Sequence, residues 1–290
     1  MKDFAYCSPS SVEGVCELLA TYRGRATVLA GGQSLLPVLR LGMASPEVII
    51  DINNLSGCDH LHVDGDHLAI GCLVRHADVA RSATVRDNCL VLAEVAGGIG
   101  DVQIRNRGTI CGSLAQADPA GDPPVLATLL NADIVATDAT GETVFEGDGF
   151  FAGLFETELE PTQLITEVRF PILTDGQGAA YEKWEISEGA YPVATVGAFV
   201  EFDDGTVTDA RIVTGAVEFG PTRFADAEAL LVDERPDAQL LERVAAIVRD
   251  DSNPIEDAEG SVRFKRELVR TLTERALTTA VNRATEAVLA

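Results

Sequence analysis

The chain has 290 residues, with 46 Asp and Glu against 22 Lys and Arg, and its formal charge is −24. A surface this acidic repels phosphate backbones and anionic membranes, which argues against nucleic-acid binding. The length predicts two domains. The N-terminus lacks a secretory signal pattern, and no run approaches the roughly 20 apolar residues of a membrane span. We therefore expect a cytoplasmic protein without a membrane span.

Lysine is scarce, and the acidic residues are spread along the chain without forming a tail. This pattern favours a halophilic source with a high-salt cytoplasm, with an ordinary acidic protein as the alternative. The six cysteines form no Cys-x-x-Cys pair, which indicates reduced thiols and no metal or iron–sulfur site. His60, His62 and His67 flank a turn-like stretch. They predict a surface hairpin in preference to a metal site.

Residues 1–55 carry the pattern of a small α/β unit. A capping box at residues 10–13 begins a helix that ends near Gly24, and an apolar strand follows at 26–30. A short helix at 35–41 and a strand at 48–51 complete the unit.

Residues 56–173 mix short strands and helices. We predict a hairpin over 61–70, helices at 76–83 and 90–96, and strands at 133–137, 142–146 and 164–170. Asp122 is predicted to be the N-cap of a further helix, with Pro123 at the first helical position.

A polar, glycine-containing stretch at residues 174–178 predicts a domain boundary. Beyond it we expect strands at 193–202 and 207–217 and helices at 225–231, 238–249 and 261–280. The predicted domains are therefore 1–173, with subdomains of about 1–55 and 56–173, and 178–290.

Two glycine-bearing turns, at residues 30–37 and 109–122, are the most informative motifs. Each precedes a helical pattern, so each can present bare backbone N–H groups to a phosphate. Either turn alone is more often a tight connection, but the two together indicate one dinucleotide held from both sides. Their spacing matches neither Gly-x-Gly-x-x-Gly nor the P-loop, which argues against a standard nicotinamide fold and a nucleoside triphosphatase.

Side chains in these turns suggest further contacts. Gln33, Ser34 and Ser113 supply donors for a diphosphate, and Asp118 and Asp122 supply acceptors for ribose or ribityl hydroxyls. For Asp122 a helix cap explains the residue equally well.

No catalytic triad or isolated carboxylate pair is evident. Cys111 is the only cysteine within a motif, and a structural role is favoured over a catalytic one. Arg105 and Arg107 either face the phosphate or pair with surface carboxylates. We expect no catalytic acid or base.

The two turns, residues 99–109, and the segments 150–155, 164–171 and 191–193 together resemble the FAD-binding medium subunit of the molybdenum hydroxylases. This is the carbon monoxide dehydrogenase, xanthine dehydrogenase and aldehyde oxidase type, and the similarity covers nearly the whole chain. The resemblance implies an α+β fold: a two-subdomain FAD-binding region of the PCMH type, followed by a C-terminal domain of antiparallel strands with helices.

The resemblance also implies the cofactor site. Segments 28–35 and 109–113 are expected to hold the FAD diphosphate, and Tyr191 is expected to lie beside the isoalloxazine ring. The expected FAD-binding residues are Leu29, Ala30, Gly31, Gly32, Gln33, Ser34, Leu35, Ile99, Thr109, Cys111, Gly112, Ser113, Asp118, Asp122, Leu164, Lys183 and Tyr191.

Three departures from the family pattern concern this site. Cys111 stands where glycine is usual, Gln33 and Gln116 stand where many members have histidine, and Ala190 replaces the aspartate before Tyr191. Backbone donors are unaffected, so we expect FAD binding to survive.

The function implied is electron transfer from the iron–sulfur clusters of a small partner subunit, through FAD, to a terminal acceptor. A large molybdenum-cofactor subunit would complete a hetero-oligomer, as one heterotrimer or a dimer of heterotrimers. A self-contained flavin oxidase and a cofactor-free scaffold are the alternatives. Neither turn contains a histidine for a covalent flavin link, which counts against the oxidase.

Overall fold

The computed structural model describes residues 3–289, and the predicted domain limits at residues 1 and 290 lie outside the described residues. The first unit is a three-stranded parallel sheet in the order β1-β3-β2. Its elements are β1 (Ala5–Cys7), α1 (Val12–Thr21), β2 (Ala26–Leu29), α2 (Leu35–Arg40) and β3 (Val48–Asp51).

The cap of α1 differs from the predicted capping box. The Ser11 hydroxyl accepts a hydrogen bond from the Gly14 N–H. Ser11 is thus the N-cap, and Glu13 lies at the second helical position, where it does not form the reciprocal bond of a capping box.

The second unit is a five-stranded antiparallel sheet in the order β4-β5-β10-β6-β7. A group of short helices is inserted between β5 and β6. The strands are β4 (Leu61–Asp64), β5 (His67–Gly71), β6 (Asp133–Asp138), β7 (Gly141–Glu146), the short pair β8 (Phe151–Gly153) and β9 (Glu156–Thr157), and β10 (Leu164–Pro171). The helices are α3 (His76–Arg81), α4 (Ala83–Asn88), α5 (Leu90–Gly98), α6 (Val102–Arg105), α7 (Ile110–Gln116) and α8 (Asp122–Leu129).

Two sequence predictions in this unit need correction. The helix predicted over 76–83 is interrupted at Ser82, whose backbone is extended and whose hydroxyl caps α4 by accepting from the Val85 N–H. Asp122 is the first residue of α8 and the N-cap is Gly121, so Asp122 does not cap the helix. Its carboxylate instead accepts hydrogen bonds from the C-terminal domain.

The C-terminal region is a four-stranded antiparallel sheet, β11-β12-β13-β14, packed against helices. Its elements are β11 (Gln177–Glu185), β12 (Pro192–Asp203), β13 (Thr206–Gly215), β14 (Thr222–Arg223), α9 (Ala225–Ala229), α10 (Ala238–Asp251) and α11 (Val262–Leu289). Strand β11 was not predicted, because its second half, from Tyr181 to Glu185, is largely polar. Helix α11 continues past residue 280, where the predicted helix ended.

Strand β12 joins the C-terminal sheet to the first two units, because both of its faces are buried. Ala194, Val196 and Ala198 belong to the core beneath the helices, whereas Phe199 belongs to the core of the preceding units. A Cβ atom at Gly197 would lie 2.8 Å from Leu129 on α8, so glycine is needed for this approach. A strand buried on both faces is largely apolar, which explains the buried run from Pro192 to Val200, in which Thr195 is the one polar side chain.

The α+β class and the C-terminal domain of antiparallel strands with helices are confirmed. Within residues 3–289, none of the helices combines the length and the apolar character needed to cross a membrane.

Candidate FAD-binding site

The first glycine turn contacts the two residues just before the second turn. A Cβ atom placed on Gly31 would overlap the carbonyl oxygen of Arg107 and lie 2.7 Å from the Cα atom of Gly108. Only a residue without a side chain allows the two backbones to approach this closely. The first turn therefore packs against the residues that introduce the second.

A side-chain network holds this junction together. Arg75 donates one hydrogen bond to the Arg107 carbonyl and another to Asn53 Oδ1, both 2.6 Å long. The Asn53 amide donates in turn to the Ala30 carbonyl at 2.9 Å and to Asp51 Oδ1 at 2.6 Å. The network links the first turn, the end of β3 and the second turn. Sequence analysis missed Asn53 and Arg75, since neither lies in a recognisable motif.

A cleft of about 490 Å³ opens between the two turns and the C-terminal domain. This volume is within the range of small-molecule and cofactor sites, about 300–1,000 Å³. Sixteen of the seventeen predicted FAD-binding residues line it, and the exception is Leu29 on β2. Leu29 packs beneath Gly32, at which a Cβ atom would lie 3.0 Å from the Leu29 side chain.

In the first turn, the Ser34 hydroxyl is available to a ligand. Gly32 has φ of +74°, a left-handed conformation that glycine adopts without strain. The Gln33 amide donates to the Gly31 carbonyl at 3.1 Å and so braces the turn from within. Ser34 is the N-cap of α2, yet its side chain makes no capping hydrogen bond. Ser34 can therefore donate into the cleft.

The second turn is internally capped. Thr109 Oγ1 accepts a hydrogen bond from the Gly112 N–H at 3.1 Å, which fixes the start of α7. The Cys111 thiol is buried and faces the Ile70 carbonyl, and burial raises its pKa well above the usual range. A buried thiol of this kind is unreactive, so Cys111 is a structural residue of the turn.

The contacts of Arg105 match neither predicted role, whereas the Arg107 guanidinium lies close enough to Asp51 to help lower the pKa of that carboxyl. Arg105 donates to the carbonyl oxygens of Ile99 and Gly100, at 3.0 and 2.8 Å, and so fixes the segment before α6. Arg107 contributes its backbone carbonyl to the Arg75 network. Among the described residues, the Arg107 guanidinium forms no salt bridge.

The opposite wall of the cleft carries a buried polar cluster. Asp122 is 6% exposed, and its carboxylate accepts from Tyr181 Oη at 2.6 Å and from Lys183 Nζ at 3.2 Å. Lys183 also donates to the Gly98 carbonyl at 2.7 Å and forms an ion pair with Glu185 at 3.5 Å. These contacts join α8, the end of α5 and β11 across the domain interface.

Burial dominates the electrostatics of this cluster. It raises the pKa of Asp122, against the opposing effect of Lys183 and of the hydrogen bonds from Tyr181 and Lys183. Burial and the neighbouring carboxylate together raise the pKa of Tyr181 well above its usual range. Tyr181 therefore stays protonated as a donor, and sequence analysis missed it because β11 was not recognised.

A rim loop completes the C-terminal side of the cleft. Gly189 has φ of +80°, and a Cβ atom there would approach Gly100 to 3.3 Å, so the loop packs on the segment before α6. Tyr191 follows at the mouth of the cleft and is 61% exposed. Its ring is thus available to a planar group bound at that end.

The cleft also contains His76, the first residue of α3, which sequence analysis did not select. Its side chain is 2% exposed, and Nε2 lies 3.3 Å from the Ser113 hydroxyl. Burial, together with nearby Arg105 and Arg75, lowers the pKa of His76 to about 4. The imidazole is therefore neutral at physiological pH.

The three histidines selected from the sequence lie elsewhere. β4 and β5 form the predicted hairpin, and His60 Nε2 contacts Glu167 at 2.7 Å. In the part of the chain that the structure describes, no group of three or more His, Cys, Asp or Glu is arranged to hold a metal ion.

Comparison with known proteins identifies the family of this chain. The family described as the FAD binding domain in molybdopterin dehydrogenase matches residues 2–173. The chain belongs to this FAD-binding family. The family described as the CO dehydrogenase flavoprotein C-terminal domain matches residues 179–280. This protein is therefore a medium subunit of the molybdenum hydroxylase type, with FAD as its cofactor, and its relatives are oxidoreductase subunits.

Similar proteins extend over nearly the full length of this medium subunit. The 6-hydroxypseudooxynicotine dehydrogenase complex subunit alpha of Paenarthrobacter nicotinovorans is 34% identical, with 97% of this chain and 95% of the relative aligned. The carbon monoxide dehydrogenase medium chain of Hydrogenophaga pseudoflava is 32% identical, with 96% of each aligned. A chain of the solved carbon monoxide dehydrogenase from Hydrogenophaga pseudoflava superposes with a TM-score of 0.94 at 33% identity, covering 97% of this chain and 98% of that one.

Proposed function

We propose that this chain is the electron-transfer subunit of a molybdenum hydroxylase complex. It would take electrons from the iron–sulfur clusters of a small partner subunit and pass them through FAD to a terminal acceptor. The observation that carries the proposal is the cleft itself: two glycine turns, the first packed against the residues just before the second, face a wall that includes Lys183 of the second domain. We further propose that the domains divide at residues 173–178.

The glycine turns fit a diphosphate. Gly31 and Gly32 place no side chain over their backbone N–H groups, and Ser34 and Ser113 add hydroxyl donors, whereas the Gly112 N–H is already bonded to Thr109 Oγ1. Such donors bind an anion without placing bulky side chains against it. Because Cys111 faces away toward Ile70, the departure from glycine at this position leaves the turn able to approach a phosphate.

Residues of the C-terminal domain supply one side of the cleft. Tyr191 offers a ring that is 61% exposed, which suits contact with the planar isoalloxazine. Lys183, on β11, is held in place by its ion pairs with Asp122 and Glu185. FAD supplies the redox chemistry when bound, while these residues bind and orient it.

This function needs no catalytic acid or base from the chain. Of the polar groups in the cleft, His76 is neutral and buried, and Asp122 is paired with Lys183. Substrate oxidation would take place on a large molybdenum-cofactor subunit. From the sequence we also propose that the subunits form a hetero-oligomer, that the complex is cytoplasmic and that its source is halophilic.

Reconstitution and co-purification test the proposal. The purified full chain should bind FAD, with the visible absorbance of a flavoprotein, and the native complex should contain one cluster-bearing and one molybdenum-bearing partner. Absence of flavin after incubation with FAD would favour a cofactor-free scaffold. A flavoprotein that oxidises its own substrate without partners would favour a self-contained oxidase.

A further inference from the structure

The His76 imidazole is buried but only half paired. Nε2 lies 3.3 Å from Ser113 Oγ, whereas Nδ1 has no hydrogen-bond partner among the described residues. Buried polar groups are almost always paired, so an imidazole with one free nitrogen indicates a constraint beyond packing. Ser113 lies in the second glycine turn and lines the cleft.

The backbone fixes the position of this ring. The His76 N–H donates to the Gly108 carbonyl at 3.0 Å. A Cβ atom at Gly108 would lie 2.8 Å from the imidazole Cδ2, so the ring fills the space that a side chain there would occupy. The imidazole is therefore held against the turn that carries Ser113.

The unpaired Nδ1 atom indicates which ring nitrogen of His76 carries the proton. A neutral imidazole has one N–H donor and one acceptor nitrogen. A proton on Nδ1 would leave a buried donor unpaired, and orphaned buried N–H groups are rarer than under-satisfied acceptors. The favoured tautomer places the proton on Nε2, which then donates to the Ser113 oxygen.

The direction of that bond decides what Ser113 can do. Once its oxygen accepts from His76, the hydroxyl is left to donate its own proton. Ser113 Oγ has no other hydrogen-bond partner within residues 3–289. The Ser113 hydroxyl proton is therefore available to an acceptor in the cleft, which Ser113 lines.

We propose that His76 is a positioning residue that fixes the Ser113 hydroxyl as a hydrogen-bond donor to a diphosphate oxygen of FAD. The inference rests on the proposed FAD site and adds a residue that contacts the cofactor only through Ser113. A hydrogen bond to a charged oxygen contributes about tenfold to hundredfold in affinity.

A double-mutant cycle on FAD affinity tests this role. The dissociation constant is measured by fluorescence titration of the full chain for wild type, His76→Leu, Ser113→Ala and the double variant. We expect each single variant to bind FAD about tenfold more weakly and the double variant to bind no more weakly than Ser113→Ala. His76→Gln, whose amide retains a donor, should recover most of the affinity.

The matched control is Thr214→Val, which also removes a buried, unpartnered polar atom but lies outside the cleft. It should bind FAD as wild type does. Wild-type affinity in His76→Leu, or an equal loss in the wild-type and Ser113→Ala backgrounds, would overturn the inference. Failure of wild type to bind FAD would instead overturn the proposed function.

A spectroscopic measurement on the wild-type holoprotein determines the proton position without any substitution, and a second one on Ser113→Ala examines the phosphate contact. Nitrogen-15 NMR should show His76 protonated at Nε2, and phosphorus NMR should show a diphosphate resonance that moves in Ser113→Ala. Protonation at Nδ1 would contradict the proposed hydrogen-bond direction.

Discussion

The two walls of the cleft recognise a ligand by different means. The glycine wall presents backbone groups from the first turn, at Gly31 and Gly32, and it tolerates an unusual Cys111 in the second turn because that side chain is directed into the core. The C-terminal wall presents the Lys183 side chain, which together with Tyr181 is bonded to Asp122 at the start of α8. The first wall should be sensitive to added volume, and the second to lost charge or lost hydrogen bonds.

The largest effect is expected on the C-terminal wall. Lys183→Met would leave the buried Asp122 carboxylate without its cation, and breaking a buried pair costs about 3–5 kcal/mol. We expect the free energy of unfolding at pH 7 to fall by about 3 kcal/mol in urea denaturation, and the pKa of Asp122 to rise further. Unchanged stability would show that the buried Asp122 carboxyl is protonated in the variant at little cost, and charge would then matter less on this wall than we expect.

The stability of the protein should depend on pH because of His76, the buried imidazole next to the second glycine turn. The pKa of His76 is about 4 in the folded chain against 6.5 as its ordinary value. The unfolded state therefore binds more protons between these values, and this contribution to stability is complete above about pH 6.5 and is lost as the pH falls toward 4. The full loss is about 3 kcal/mol.

Urea denaturation of wild type and His76→Gln between pH 4 and pH 8 measures this contribution. The difference in unfolding free energy between the two proteins should decrease as the pH falls, because only wild type carries the imidazole. A pH-independent difference would show that His76 titrates normally in the folded chain.

A larger side chain on the glycine wall should lower the free energy of unfolding less than Lys183→Met does, but it should lower the amount of bound FAD more. Gly31→Ala would place a methyl group against the Arg107 carbonyl and force the turns apart. Overpacking of this kind costs about 1–3 kcal/mol, and we expect the FAD content of the purified protein to fall severalfold. Gly220→Ala is the matched control, since a Cβ atom there meets nothing within 4 Å. Equal FAD content in both variants would contradict direct packing of the turns.

The smallest effect is expected from Tyr181→Phe, which removes only the hydroxyl that donates to Asp122. The carboxylate keeps Lys183, so stability should fall by about 1–2 kcal/mol. The flavin reduction potential, measured by redox titration, should also shift, because Asp122 and Lys183 line the cleft together. A shift in the reduction potential without a loss of stability would show that Tyr181 affects only the flavin potential.

The sequence by itself determined the fold class and the cofactor, and it identified both glycine turns that line the cleft. Glycine turns before helical patterns carry their signal locally, since the lack of a side chain is visible at each position. The same is true of the apolar strands, such as 48–51 and 193–202, whose patterns matched β3 and β12 closely.

Only the tertiary structure decided how these parts meet. Asn53, Arg75, His76 and Tyr181 act through partners 22 to 59 residues away, and no local pattern marks a long-range hydrogen bond. For the same reason Asp122 was mistaken for a helix cap, and the polar half of β11 was not recognised as a strand. The physical cause is that burial and pairing are properties of the packed chain, whereas a sequence motif records only neighbours along it.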